Sequence, residues 1–193
     1  MSEKGSFTDY LGKRTLIIGD VGAGKTKLTV ELLEEAVRKS HGKEITIIDM
    51  APATTFVKGR KIGGKLSEHT EATKRVRYMT PKKVETPRLR AESAEELLEL
   101  VRLNEEIIRP LLMEYIENPS PILFINDISI YLQQGSAEPV LAASKKAETF
   151  IANGYYGKYF AFDYKTGVSK VEKELIDILV EEMDIVIRLE KED

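Results

Sequence analysis

The chain has 193 residues, a formal net charge of −3 at pH 7, 42% hydrophobic and 32% charged residues. This is a globular composition, and the length suits one compact α/β domain (1–193) rather than two. The absence of cysteine excludes disulfides and thiolate metal sites, no apolar run reaches the roughly 18 residues that cross a bilayer, and residues 1–13 carry no apolar export core, so the expectation is a cytoplasmic protein with no membrane partner.

Arg14-Thr-Leu-Ile-Ile18 is a short, β-branched apolar run ending at a glycine and reads as a buried strand. Lys25 to Lys39 places Leu28, Leu32, Leu33, Ala36 and Val37 on one helical face. Glu44-Ile-Thr-Ile-Ile-Asp49 is a second strand. His41 and His69 read as solvated loop residues. Residues 53–90 form an irregular basic insertion punctuated by Gly59, Gly63, Gly64, Pro81 and Pro87, with one short strand at 76–80; so long a loop is usually functional.

Ser93-Ala-Glu-Glu96 has the form of a capping box, opening a helix through about Glu117 with a kink or break expected at Pro110. Its apolar members are Leu97, Leu98, Val101, Ile107, Ile108, Leu111 and Leu112. Pro121-Ile-Leu-Phe-Ile-Asn-Asp127 is a strongly apolar strand ending in polar residues. A helix over 137–152, closed by Asn153-Gly154, and a strand over 158–162 are expected next. Ser169-Lys-Val-Glu172 suggests a second capping box, and Asp184-Ile-Val-Ile-Arg-Leu189 the last strand. Alternating helices and continuously apolar strands predict a mostly parallel five- or six-stranded sheet with helices on both faces.

Gly19-Asp-Val-Gly-Ala-Gly-Lys-Thr26 fits G-x-x-x-x-G-K-[ST] between a predicted strand and a predicted helix. Glycines let backbone N–H groups converge on a phosphate, and the helix start adds its positive dipole end. Lys25 supplies a full charge for the β- and γ-phosphates, and Thr26 offers a hydroxyl to Mg²⁺. The candidate nucleotide-binding residues are Gly19, Asp20, Val21, Gly22, Ala23, Gly24, Lys25, Thr26 and Lys27.

These residues resemble the P-loop NTPase superfamily, and the likeness extends over the whole strand–helix order. It implies a three-layer sandwich in which Ile122-Leu-Phe-Ile-Asn-Asp127 is the Walker B strand. Two alignments arise. In the adopted one, Asp127 joins Thr26 as a magnesium residue. In the other, Asn126 takes the magnesium position and Asp127 that of the water-activating base. Asp49, ending the second strand at the same sheet edge, is a candidate to assist magnesium or orient water, with the capping of a turn before Pro52 as the alternative. Asp163 is a further candidate of this kind. Lys25, Asp127 and Asp49 are thus the candidate catalytic residues.

No Asn-Lys-x-Asp guanine motif occurs near 162–167, so ATP is favoured over GTP as the ligand, with Mg²⁺. The end Glu182-Met-Asp-Ile-Val-Ile-Arg-Leu189 and the Asn-Asp-Ile-Ser129 turn are similar to RecA/KaiC-type ATPases. Phe56-Val-Lys-Gly59 and Asp127-Ile-Ser-Ile-Tyr-Leu-Gln-Gln-Gly135 are similar to corrinoid adenosyltransferases. Three functions follow: a slow Mg·ATPase or switch, an ATP-using transferase or kinase whose lid is Lys61, Gly63, Gly64 and Lys65, and a non-catalytic sensor acting through a protein partner. A homo-oligomer is the other partner expected, with Arg60, Arg75, Arg88 or Arg90 as a cation donated between subunits.

Charge is uneven. From Lys58 to Arg90 eleven Lys/Arg face three Glu, a local +8, and from Ala91 to Asn118 two Arg face eight Glu, a local −6. The basic block 58–90 is a possible nucleic-acid surface, with Tyr78 to stack a base, but it is poor in aromatics and the whole chain is acidic, so that partner is not favoured. Pairing of the block with the acidic helix is the alternative.

Overall fold

A computed structural model of the chain describes residues 5–39, 42, 44–57 and 60–191. His41, Lys58 and Gly59, named above, lie outside the described residues. The strands are β1 (Arg14–Gly19), β2 (Ile45–Asp49), β3 (Thr55–Val57), β4 (Arg60–Ile62), β5 (Arg77–Met79), β6 (Ile122–Asn126), β7 (Thr149–Tyr155) and β8 (Ile185–Leu189). The helices are α1 (Lys25–Lys39), α2 (Pro87–Arg90), α3 (Ala94–Glu117), α4 (Ile128–Leu132), α5 (Ala137–Lys146) and α6 (Val168–Glu182).

Six strands form one sheet in the order β5-β2-β6-β7-β1-β8, and every neighbouring pair is parallel. β3 and β4 pair separately as an antiparallel hairpin. Both sheet faces are buried, so alternate residues of one strand enter different cores. Ile17, Ile47, Phe124 and Ile151 pack with Leu28, Leu32, Leu33 and Ala36 of α1. Leu16, Ile18, Ile48, Leu123, Ile125 and Phe150 pack with Ile108 and Leu112 of α3, Val140 of α5 and Ile176 of α6. The result is the expected three-layer α/β sandwich. No helix among the described residues is long and apolar enough to cross a membrane.

The stretch from 137 to 163 differs from the sequence expectation. The helix over 137–152 stops at Lys146, and 149–155 is the strand β7; residues 158–162 are loop. Asn153-Gly154 has the composition of a turn, but here it lies inside a strand. A Cβ on Gly154 would come within 3.0 Å of Ile128 Cγ1 and 3.3 Å of Ile176 Cδ1, so this glycine admits close helix packing. Asp163 therefore ends no strand; its Oδ2 accepts from Ser169 N at 3.0 Å and caps α6.

The second capping box is also absent. α6 begins after Gly167, and Glu172 is buried instead of returning to the helix start. The box at Ser93 is half formed. Ser93 Oγ accepts from Glu96 N at 3.1 Å, but Glu96 Oε2 accepts from Glu92 N at 2.8 Å. α3 runs unbroken through Pro110, because burial of Ile108, Leu112 and Tyr115 on either side outweighs the roughly 3 kcal/mol a helical proline costs. Leu98 and Ile107, counted with its apolar face, are exposed.

The insertion 53–90 is more ordered than its composition suggests. It holds the hairpin, two 3-10 turns, α2 and the edge strand β5. Of its cations, Arg77 pairs with Glu114 of the acidic helix α3, Lys74 with Glu71, Lys83 and Arg90 with Glu85, and Arg88 with Glu172.

Candidate nucleotide site

β1, β2, β6 and β7 all point their carboxyl ends at one edge of the sheet. Register places Asp49 beside Asn126, Ile17 beside Asn153 and Gly19 beside Tyr155. The glycine loop leaves β1 here and turns into α1. Gly22 (φ +81°) and Gly24 (φ +88°) occupy the left-handed region, which a side chain there would strain.

Lys25 lies across this loop. Its Nζ donates to Gly19 O at 3.0 Å and Asp20 O at 2.8 Å. Burial lowers the Lys25 pKa, while the charges of Asp127 and Asp20 pull it back up. Asp20 braces the loop from outside: its Oδ1 accepts from Val21 N at 2.6 Å and its Oδ2 from Lys158 N at 3.0 Å.

A cavity of about 320 Å³ opens over the loop. Val21, Gly22, Gly24, Lys25, Thr26 and Lys27 line one side, and Asp127 and Asn126 another. Gly19, Asp20 and Ala23 frame the loop without lining the cavity. Lys61, Gly63 and Gly64 of the β3–β4 hairpin and its exit close the space from above, with His69 beside them.

Asp127 has left-handed backbone (φ 59°, ψ 57°), a conformation that aspartate tolerates better than most residues. Its Oδ1 accepts from Ser129 Oγ at 2.5 Å. Burial raises its pKa, opposed by the Ser129 hydrogen bond and then by the Lys25 and Arg88 charges. Carboxylate, Thr26 side chain and lysine ammonium therefore meet at one cavity. Among the described residues there is no cluster of three or more His, Cys, Asp or Glu to hold a metal. One carboxylate and one hydroxyl suit Mg²⁺, which takes its other oxygens from phosphate and water.

Asn126 and Asp49 do different work. Asn126 Nδ2 donates to Asp49 Oδ1 at 2.8 Å and Gly64 O at 3.2 Å, and Asn126 Oδ1 accepts from Asn153 Nδ2 at 2.8 Å. Asp49 accepts also from Ala51 N, Leu66 N and the Tyr78 hydroxyl. It is fully buried, does not line the cavity and ties the insertion to β2. Burial still raises its pKa against these four donors. Tyr78, the base-stacking candidate, spends its hydroxyl on Asp49 and Ser67.

Sequence reasoning missed Asn153. Its Nδ2 donates to Thr29 Oγ1 at 2.9 Å as well as to Asn126, and its Oδ1 accepts from Asp127 N at 2.9 Å. One amide thus links α1, β6 and the Asp127 backbone. The signal was an amide following the apolar run Phe150-Ile-Ala152. Replacing Asn153 by alanine leaves three buried polar groups without this partner. We expect a loss of roughly 2–3 kcal/mol in urea unfolding, and a change below about 0.5 kcal/mol would refute the role given to the amide chain.

Comparison with known proteins finds no matching family model and no matching curated protein. Among solved structures, the flagellar accessory protein FlaH from Methanocaldococcus jannaschii is similar, with a TM-score of 0.50 and 11% identity over 92% of this chain and 71% of that one. The two share an α/β fold built on a parallel sheet. The strand order of this chain inserts β7 between β1, which leads into the glycine loop, and β6, which Asp127 follows, an arrangement that linear order leaves open.

Proposed function

We propose that this chain is a Mg²⁺-dependent ATP-binding protein that hydrolyses its nucleotide slowly and acts as a switch. The observation that carries the reading is convergence: the glycine loop, Lys25, Thr26 and Asp127 face one cavity at the carboxyl edge of a parallel sheet. Lys25 already lies against the loop carbonyls and would exchange them for phosphate oxygens. Mg²⁺, held by Thr26 and Asp127, would supply charge neutralisation during phosphoryl transfer. Asp49 is assigned an anchoring role. ATP is favoured over GTP because the loop 158–167 offers no guanine-reading segment.

The hairpin over the cavity supports a second reading, transfer to a small acceptor beneath a lid formed by Lys61, Gly63 and Gly64. Product analysis decides between them. Incubation with Mg·ATP and Mg·GTP should release inorganic phosphate from ATP in preference, and omission of Mg²⁺ should stop it. A phosphorylated or adenosylated acceptor without free phosphate would select transfer, and Mg-dependent binding without turnover would select sensing.

A further inference from the structure

The two outer edges of the sheet are built differently. β5 is short, and its residues are engaged: Arg77 pairs with Glu114, and the Tyr78 hydroxyl donates to Asp49. At the other edge β8, Ile185-Val-Ile-Arg-Leu189, follows β1 in unbroken register and contains no proline, lysine or bulge. Among the described residues no strand pairs with its outer side, and its four apolar residues are only half-buried. Proteins usually blunt such an edge, because its free N–H and C=O groups accept another strand. Two opposite charges bracket it. Asp184 precedes the strand, and its N–H donates to Arg14 O at 2.9 Å, so the chain already runs beside β1 there. Its carboxylate meets Arg14 Nη2 at 3.3 Å yet stays 43% exposed. Arg188 is exposed, with its guanidinium 5.5 Å from the Tyr156 ring centroid. Asp184, Val186 and Arg188 alternate with Ile185 and Ile187, so the two charges share one side of the pleat.

We propose that β8 pairs antiparallel with β8 of a second copy of this chain, with the two-fold axis at Val186. In an antiparallel pair hydrogen-bonded residues oppose each other and so do non-bonded ones, so the axis of two identical strands falls on a residue. At Val186 it sets Ile185 opposite Ile187 of the second copy and Asp184 opposite Arg188. Leu189 then meets Met183, whose backbone is already extended (φ −92°, ψ 145°). An axis at Ile187 would set Asp184 against Glu190, and one at Arg188 would set arginine against arginine. An axis at Ile185 or Leu189 would leave most of the strand with no strand opposite it. Opposite charges directly across a pair stabilise it and like charges destabilise it, so the charges of the strand select Val186. The two sheets then continue as one with their carboxyl edges facing opposite ways. β1 and its glycine loop lie one strand in from the axis, Gly19 beside Leu189. This contact brings no cation from the second copy to the nucleotide cavity, and the pairing is independent of the function proposed above.

Sedimentation of the full chain should show a dimer without nucleotide. Arg188→Glu sets like charges opposite each other on both sides of the axis and should raise the dimer dissociation constant about 10-fold or more. Asp184→Arg alone should do the same. Mixing the two variants should restore the wild-type constant to within about threefold, because each charge then meets its opposite. The chain has no cysteine, so an introduced thiol reports the axis. Val186→Cys should form a disulfide between copies on mild oxidation, since residues directly opposite have Cα atoms about 4.5–5.5 Å apart. Ile187→Cys should not, since it and its counterpart are diagonal neighbours about 7–8 Å apart. A wild type that stays monomeric up to millimolar concentration overturns the proposal and leaves the edge to a different chain. A dimer that Arg188→Glu leaves unchanged overturns it, as does a disulfide in Ile187→Cys and none in Val186→Cys. If Asp184→Arg fails to fold, Arg188→Glu and Val186→Cys decide.

Discussion

Lys25→Ala should abolish the stabilisation that Mg·ATP is expected to give the wild-type protein. A ligand that binds only the folded state at 100 times its Kd adds about 2.7 kcal/mol, which for a domain of this size raises the melting temperature by roughly 5–10 °C. In the variant that rise should vanish, and phosphate release with it. The cavity would lose its principal cation, and a charge pair with a desolvated partner is worth about 2–5 kcal/mol, so ATP affinity should fall by more than about 30-fold. The nucleotide-free variant should still fold. In the wild type the Lys25 Nζ bonds, among the described residues, to the Gly19 and Asp20 carbonyls, and burial of the charge already works against it. Equal thermal shifts in wild type and variant would place the nucleotide somewhere other than this cavity.

Arg88→Ala is expected to be the most destabilising single change in the region. The Arg88 and Glu172 side chains are 5% and 3% exposed. Arg88 also reaches Ser169 Oγ at 3.2 Å and lies over the Phe160 and Tyr155 rings, 4.9 Å and 5.4 Å from their centroids. It therefore fastens α2, at the end of the insertion, to α6. Removing one partner of a buried pair strands the other and costs about 3–5 kcal/mol, read as a lower urea midpoint with an unchanged slope.

The deficit should depend on pH. Burial pushes the Glu172 carboxyl from 4.5 up to about 7, against the pull of Arg88. A group whose folded pKa lies above its unfolded one stabilises fully below the unfolded value, and that contribution is lost as pH rises through the folded value. Without Arg88 the folded value climbs further, and at low pH Glu172 is neutral and needs no cation. Arg88→Ala should thus lie closer to wild type at about pH 5 than at about pH 8. Adding Glu172→Gln should recover part of the loss at pH 8. A pH-independent deficit would show that Arg88 acts through packing and ring contacts alone.

The glycine loop between β1 and α1 was legible because its information is local. Eight contiguous residues carry the glycines, the cation and the hydroxyl, and the strand before and helix after them are strongly patterned. The runs at 14–18, 45–49 and 122–126 were legible for the same reason, since strands buried on both faces are apolar throughout, and the half-buried edge strand at 185–189 was legible from its run of β-branched residues. β7 was not, because Asn153-Gly154 satisfies a turn rule locally and a packing rule only once Ile128 and Ile176 are in place. Glu172 was misread in the same way: its spacing from Ser169 matches a cap, while its partner Arg88 is 84 residues away.

The sequence by itself determined that the chain folds as a mostly parallel α/β sandwich with a glycine loop at residues 19–26 between a strand and a helix, because backbone freedom, charge and periodicity act over a few residues. The tertiary structure alone decided the strand order, the Asp49–Asn126–Asn153–Thr29 chain and the burial of Glu172 against Arg88. Those depend on which buried polar groups meet after the chain has closed, and the energy of each such pairing belongs to residues far apart along it.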